Sequence, residues 1–169
     1  MELTIQEIDR IENFRKNIIK LEQHLSDLPD SIGDIKNAGQ DESFNKVYPL
    51  KHKFVGGLYR REMFMPKGNF IMSGIHKKDH VFFLIKGDLS VLSEDGIQRI
   101  KAPFDTVTKS GTKRLVYVHE DSVAVTIHAT EKNNVEDVTN EVIAKDFNDP
   151  DISIENMKKN LELKNKQWF

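Results

Sequence analysis

Four side chains in the middle of the sequence could do chemistry: His76, His80, Arg114 and His128. Imidazole titrates close to neutrality, so His76 and His80 could serve as general base and general acid. Three neutral imidazoles, His76, His80 and His128, could instead hold a divalent ion, and nitrogen donors suit Zn, Fe, Ni or Cu. Arg114 argues for a different guest. A guanidinium stays charged at any relevant pH, has no lone pair to donate and repels a nearby cation, whereas its fork matches carboxylate and phosphate oxygens. The local setting of the first two, His76-Lys77-Lys78-Asp79-His80, is also that of a solvated loop. No cysteine is present, which excludes a thiolate nucleophile and thiolate metal ligands.

The elements that must carry these residues follow from patterning. Residues 4–28 read as a helix, with Thr4 and Glu7 in capping-box spacing and Ile11, Phe14, Ile18, Leu21, Leu25 and Leu28 at steps of three and four, before Pro29. That stripe either packs on its own domain or forms a short seam between two copies. Residues 29–50, rich in Asp, Gly, Asn and Gln, predict a connector with little regular structure. From 51 to 130 the periodicity is that of short strands: Gly57–Met65, Asn69–Ser73, Val81–Lys86, Leu89–Ser93, Gln98–Ile100, Thr106–Thr108, Arg114–His119 and Val123–Ala129. Turns are expected at Pro66-Lys67-Gly68, Lys86-Gly87-Asp88, Glu94-Asp95-Gly96, Ser110-Gly111 and Glu120-Asp121. After Thr130, Val135, Val138, Val142 and Ile143 suggest a helix begun at Asn133 or Asn134, and Ser153 caps a second carrying Met157 and Leu161. Trp168 and Phe169 end the chain as aromatics suited to docking. The expected parts are thus a helix and connector (1–50), a β-barrel (51–130) and a helical extension (131–169), in a mainly β, antiparallel fold.

Of 169 residues, 38% are hydrophobic and 31% charged, at a net charge of −2, which describes a globular chain without the basic surplus needed for nucleic acid or anionic membrane. No apolar run is long enough for a span and the N-terminus lacks a signal pattern, so the expected location is the cytoplasm.

The stretch from Gly68 to Gly87 resembles the first motif of the cupin superfamily. Its two glycines are in place, His76 stands at the second histidine, Gly74 replaces the first, and His80 stands where the family has glutamate. The second motif is similar to Lys109–Arg114: Gly111 is retained, Lys109 replaces a proline, and Arg114 occupies the ligand histidine's place, with Val118 at the final asparagine. Gly57-Leu58-Tyr59, Arg61-Glu62, Ala102-Pro103-Phe104 and Thr126-Ile127-His128 further resemble small single-domain cupins encoded by bacteriophages. The resemblance implies a cupin-type barrel (double-stranded β-helix or jelly roll) with helices at both ends, and a histidine at position 128 in the pocket. It also implies a homo-oligomer, in the host cytoplasm for a phage-encoded chain.

The register decides whether His128 joins the others. A hairpin at Glu120–Ser122 that pairs His119 with Val123 would set Arg114 opposite His128 on one face, and a slip of one residue would reverse it. Tyr59 and Arg61 share a strand face with Met63 and Met65, and could line the pocket or sit on the surface. The ligand-binding candidates are His76, His80, Arg114, His128, Tyr59 and Arg61. The metal-ligand candidates are His76, His80 and His128, for Zn, Fe, Ni or Mn. His52 is open between surface and lid, His24 and His119 are assigned to the surface, and Glu62 is the one carboxylate worth considering. Three functions follow. The first is a binding module for a small anion, such as a nucleotide or another phosphate or carboxylate compound, with sequestration of a host defence signal as its use. The second is a metal-dependent or histidine acid–base enzyme, and the third a phage structural protein attached through its helix and tail.

Overall fold

The computed structural model describes residues 4–29 and 42–166. The chain is mainly β and antiparallel, with helices at both ends, as its patterning predicts. Helix α1 spans Ile5–Ser26 and carries the expected capping box. Strands β1 (Leu50–Val55), β2 (Leu58–Met65), β3 (Phe70–Met72), β4 (Ile75–His76), β5 (His80–Ser93), β6 (Gly96–Lys101), β7 (Phe104–Thr108) and β8 (Leu115–Ala129) follow a short α2 (Glu42–Val47). After them come α3 (Val135–Val142), β9 (Ile143–Ala144) and α4 (Ile154–Lys166).

Two long strands organise the sheet. The first half of β5 and the second half of β8 lie in an array β1-β2-β8-β5-β7, whereas their other halves lie in an array β3-β8-β5-β6. Each strand therefore passes from one layer to the other through a bend, a common way to turn a corner between sheets. The turns expected at Lys86-Gly87-Asp88 and Glu120-Asp121 are in fact these bends, and four expected strands are two. Register shifts between Leu84 and Leu89 mark the place. Gly87 has φ +103, and a Cβ there would lie 1.9 Å from Ser122 Oγ, so only glycine lets the two bends cross. The irregularity changes the inward-facing set on β5 from His80 and Phe82 to Leu89 and Val91.

Other differences are local. The connector contains α2, whose Phe44 is joined by Tyr48 in the main core with Leu84, Leu89 and Val118; the three-and-four spacing of Phe44, Val47 and Tyr48 was hidden in a polar background. Strand β1 was not expected, and Gly56-Gly57 is its two-residue hairpin to β2, both glycines at positive φ. Ile143 leaves the helix to pair with His76. Residues 30–41 and the aromatics Trp168 and Phe169 lie outside the described residues.

Helix α1 packs on its own chain. Arg15 donates to the carbonyls of Ile152 (2.6 Å) and Gly111 (3.3 Å) and lies over the Phe147 ring. Lys113 donates to Glu22 at 2.6 Å and to the Ser73 carbonyl. Among the described residues no helix is long and apolar enough to cross a membrane.

Candidate functional site

The site forms where the chain segments 73–76 and 111–114 lock together. Ser73 N donates to the Arg114 carbonyl (2.8 Å), Arg114 N to Ser73 Oγ (2.9 Å) and Gly111 N to the His76 carbonyl (2.7 Å). Gly111 has φ +76, and a Cβ there would meet the Arg15 guanidinium at 2.4 Å, so this glycine admits both the turn and the helix. Asp79 ties the loop before His80 to the second segment by accepting from Ser110 N and Lys109 Nζ, both at 2.9 Å.

These constraints bring His76, His80 and His128 into one buried cluster. Ring centroids are 4.0 Å apart for His76–His80, 4.5 Å for His80–His128 and 5.1 Å for His76–His128. One nitrogen from each lies within 4.8 Å of the others. The hairpin expected at Glu120–Ser122 is absent, yet Arg114 and His128 still share a face, because β8 runs through as one strand and Val116, Ala124 and Thr126 stay on the cavity side with Arg114. His80 Nδ1 faces the Lys78 carbonyl at 3.4 Å, an acceptor that favours the tautomer with the proton on Nδ1. Nδ1 of His76 and of His128 is buried without a partner.

Burial keeps the three rings neutral. Loss of hydration, reinforced by the charges of Arg114 and Arg61, pulls His80 down to about 4. Burial and then His80 and Arg61 pull His128 down to about 3, and His76 falls well below its ordinary value for the same reasons. A neutral imidazole is the form that binds metal or accepts a proton.

A cavity of about 90 Å³ opens beside His76 and His80. Arg61 from β2 and Arg114 both line it, as do Thr108, Thr112 and Thr126, and Met63, Met65 and Leu89 add apolar lining. No aspartate or glutamate is among the lining residues. Nε of Arg114 and the hydroxyls of Thr108 and Thr126 are buried without partners. Burial lowers the pKa of both guanidiniums, which nevertheless remain charged.

The remaining candidates fall elsewhere. Tyr59 shares the face of Arg61 but lies beyond the cavity, packed with Val138 and Val142 of α3 and with His52 Nδ1 2.7 Å from its hydroxyl. His128 stacks on the other imidazoles without bordering the cavity. Glu62 is on the opposite face of β2, paired with Lys51 and Arg60. His24 is exposed, while His119 is half-buried, 2.8 Å from Ser90 Oγ. Sequence reasoning missed Thr108 and Thr126, although Thr126 stands two residues before His128 on the same face. It also missed the cover: β9 pairs with β4, and Ile143 packs against position 74, its side chain 3.4 Å from where a Cβ there would lie.

No family model matches the chain, and no curated protein matches it. Solved structures that align with it include a protein from Neisseria meningitidis, at 17% identity over 65% of this chain and 96% of its own, with a TM-score of 0.42. A cupin 2 domain-containing protein from Halorhodospira halophila aligns at 9% identity over 53% of this chain and 69% of its own, TM-score 0.45. An acetylacetone dioxygenase from Acinetobacter johnsonii aligns at 19% identity over 47% and 58%, TM-score 0.41.

Proposed function

We propose that this chain is a cupin-type binding protein for a small anion, held by Arg61 and Arg114 with the neutral histidines and threonines as hydrogen-bonding partners. The observation that carries this reading is two guanidiniums facing one cavity whose lining has no carboxylate. Half-buried guanidiniums that share a cavity with no carboxylate favour an anionic guest, because a bound carboxylate or phosphate offsets part of the cost of withdrawing them from water. The unpartnered Nε of Arg114 offers one of the charge-assisted bonds. Use as a sponge for a nucleotide signal, which the resemblance to phage cupins suggests, requires the base and sugar to lie outside a 90 Å³ cavity.

The test is calorimetric titration of phosphate and acetate into the protein and into Arg114→Ala. A charge-assisted bond of roughly 1.5–3 kcal/mol predicts at least a tenfold loss of affinity in the variant. Unchanged binding would sink the assignment.

A second reading rests on the histidine cluster. Its spacing, neutrality and two unpartnered Nδ1 atoms fit a divalent metal held by His76, His80 and His128. A bound metal would supply Lewis acidity beside the anion, with Arg114 and Arg61 orienting that anion and the apolar lining excluding water. About one equivalent of Zn, Fe, Ni or Mn per chain, lost in His76→Ala, would favour it. Metal-free protein that still binds phosphate or acetate would leave the anion pocket alone.

A further inference from the structure

The inner cavity has a larger neighbour. A groove of about 410 Å³ lies between β6 and β7, and it shares Phe82, Val91, Thr112 and Arg114 with the inner cavity. The groove can exist because β5 pairs with β7 over its first half and with β6 over its second, so those two strands part company across it. Phe104 and Ile100 extend the apolar wall, while Gln98 and Thr106 add polar groups at the sides. Its two acids are engaged, Asp95 with Arg10 and Glu94 with Thr112. Arg114 stands on a wall common to both spaces, and from the groove side the carboxylates of Glu94 and Asp95 also act on its charge.

The volumes say what each can hold. A cavity of roughly 150 Å³ just accepts benzene, so the inner one takes an acid group or a few water molecules and no ring. The outer groove falls in the range of about 300–1,000 Å³ typical of ligand sites. We propose that the two form one site with two chambers, whose ligand is an acid carried on a flat ring. The oxyanion meets Arg114, and the ring lies in the outer groove between the side chains of β5, β6 and β7. This rests on the anion-binding reading above and adds to it the body of the ligand and the side on which it lies. A ring phosphate and a ring carboxylate share the chemistry required.

The experiment is calorimetry on the full chain with four probes: phosphate and adenosine monophosphate, acetate and 2-naphthoate. At least one ring acid is expected to bind tenfold or more tighter than its bare head group, and which one does so identifies the acid. Gln98→Trp, at an exposed position of β6 where folding is not at risk, should weaken that ring acid at least tenfold and leave phosphate and acetate unchanged. Thr106→Trp, from the facing strand, should do the same. Ring acids no tighter than their head groups, or indifferent to both tryptophans, would overturn the outer chamber while leaving the anion pocket intact. Failure of all four probes would remove the anion reading itself.

Discussion

Arg15, on α1, and Lys113, beneath that helix, are buried, whereas Arg61 and Arg114 are half-buried and face the cavity. The first pair is provided for within the chain. Arg15 reaches two carbonyls and the face of Phe147, and Lys113, fully buried, meets Glu22 and the Ser73 carbonyl. The second pair has no carboxylate in its cavity. Lys113 and Arg114 are adjacent in sequence, so neighbouring residues separate two uses of charge. One fastens a helix to the sheet, and the other faces the cavity that the proposed function assigns to an anion.

Acid should act mainly on the cavity side of this comparison. The three histidines have pKa values below the ordinary 6.5, so the unfolded chain binds more protons than the folded one as pH falls through that value. Their full contribution is present above about pH 6.5 and is lost progressively towards the folded values of about 4 for His80 and about 3 for His128. Roughly 2 kcal/mol per histidine should disappear between pH 7 and pH 5. Urea unfolding at the two pH values measures it. His128→Asn should reduce the loss by about a third, and an unaltered loss would mean that His128 is not held neutral.

Glu22→Gln tests the fastened side. It leaves Lys113 buried without that carboxylate, at a cost of about 3 kcal/mol, or about 6–12 °C in melting temperature for a chain of this size. A change under 2 °C would show that the helix does not depend on the pair. Arg114→Met should act more weakly, changing stability by less than about 1 kcal/mol, because removing the desolvation cost of a half-buried guanidinium is offset by losing its attraction to Glu94 and Asp95. Anion binding would be lost with it. An Arg114→Met protein as destabilised as Glu22→Gln would mean that the arginine belongs to the structure, as Lys113 does.

Local signals in the sequence carried the ends of the fold well. The capping box of α1 and the cap at Asn134 both describe contacts within a few residues. The long strands were misjudged because Gly87 and Glu120-Asp121 have turn composition, and only the crossing of two distant segments makes them bends. At the site, His76, His80 and Arg114 could be selected from spacing and family likeness. The absence of acids from the cavity lining could not, since it depends on where the fold sends them: Glu62 to the outer face of β2, Glu22 to Lys113, Asp79 to Lys109, and Glu94 and Asp95 to the outer groove, from which they still act on Arg114.

The pairing of β4 with β9 has a consequence for how the protein comes into being. His76 is made well before Ile143 and Ala144, the residues of the strand that pairs with it. A ribosome-bound chain that has already emerged through Ala129 carries His76, His80, Arg114 and His128 but lacks the partner of β4. The histidine and arginine side chains are thus made before the strand that pairs with β4, and a product interrupted before Ile143 would carry them without that pairing.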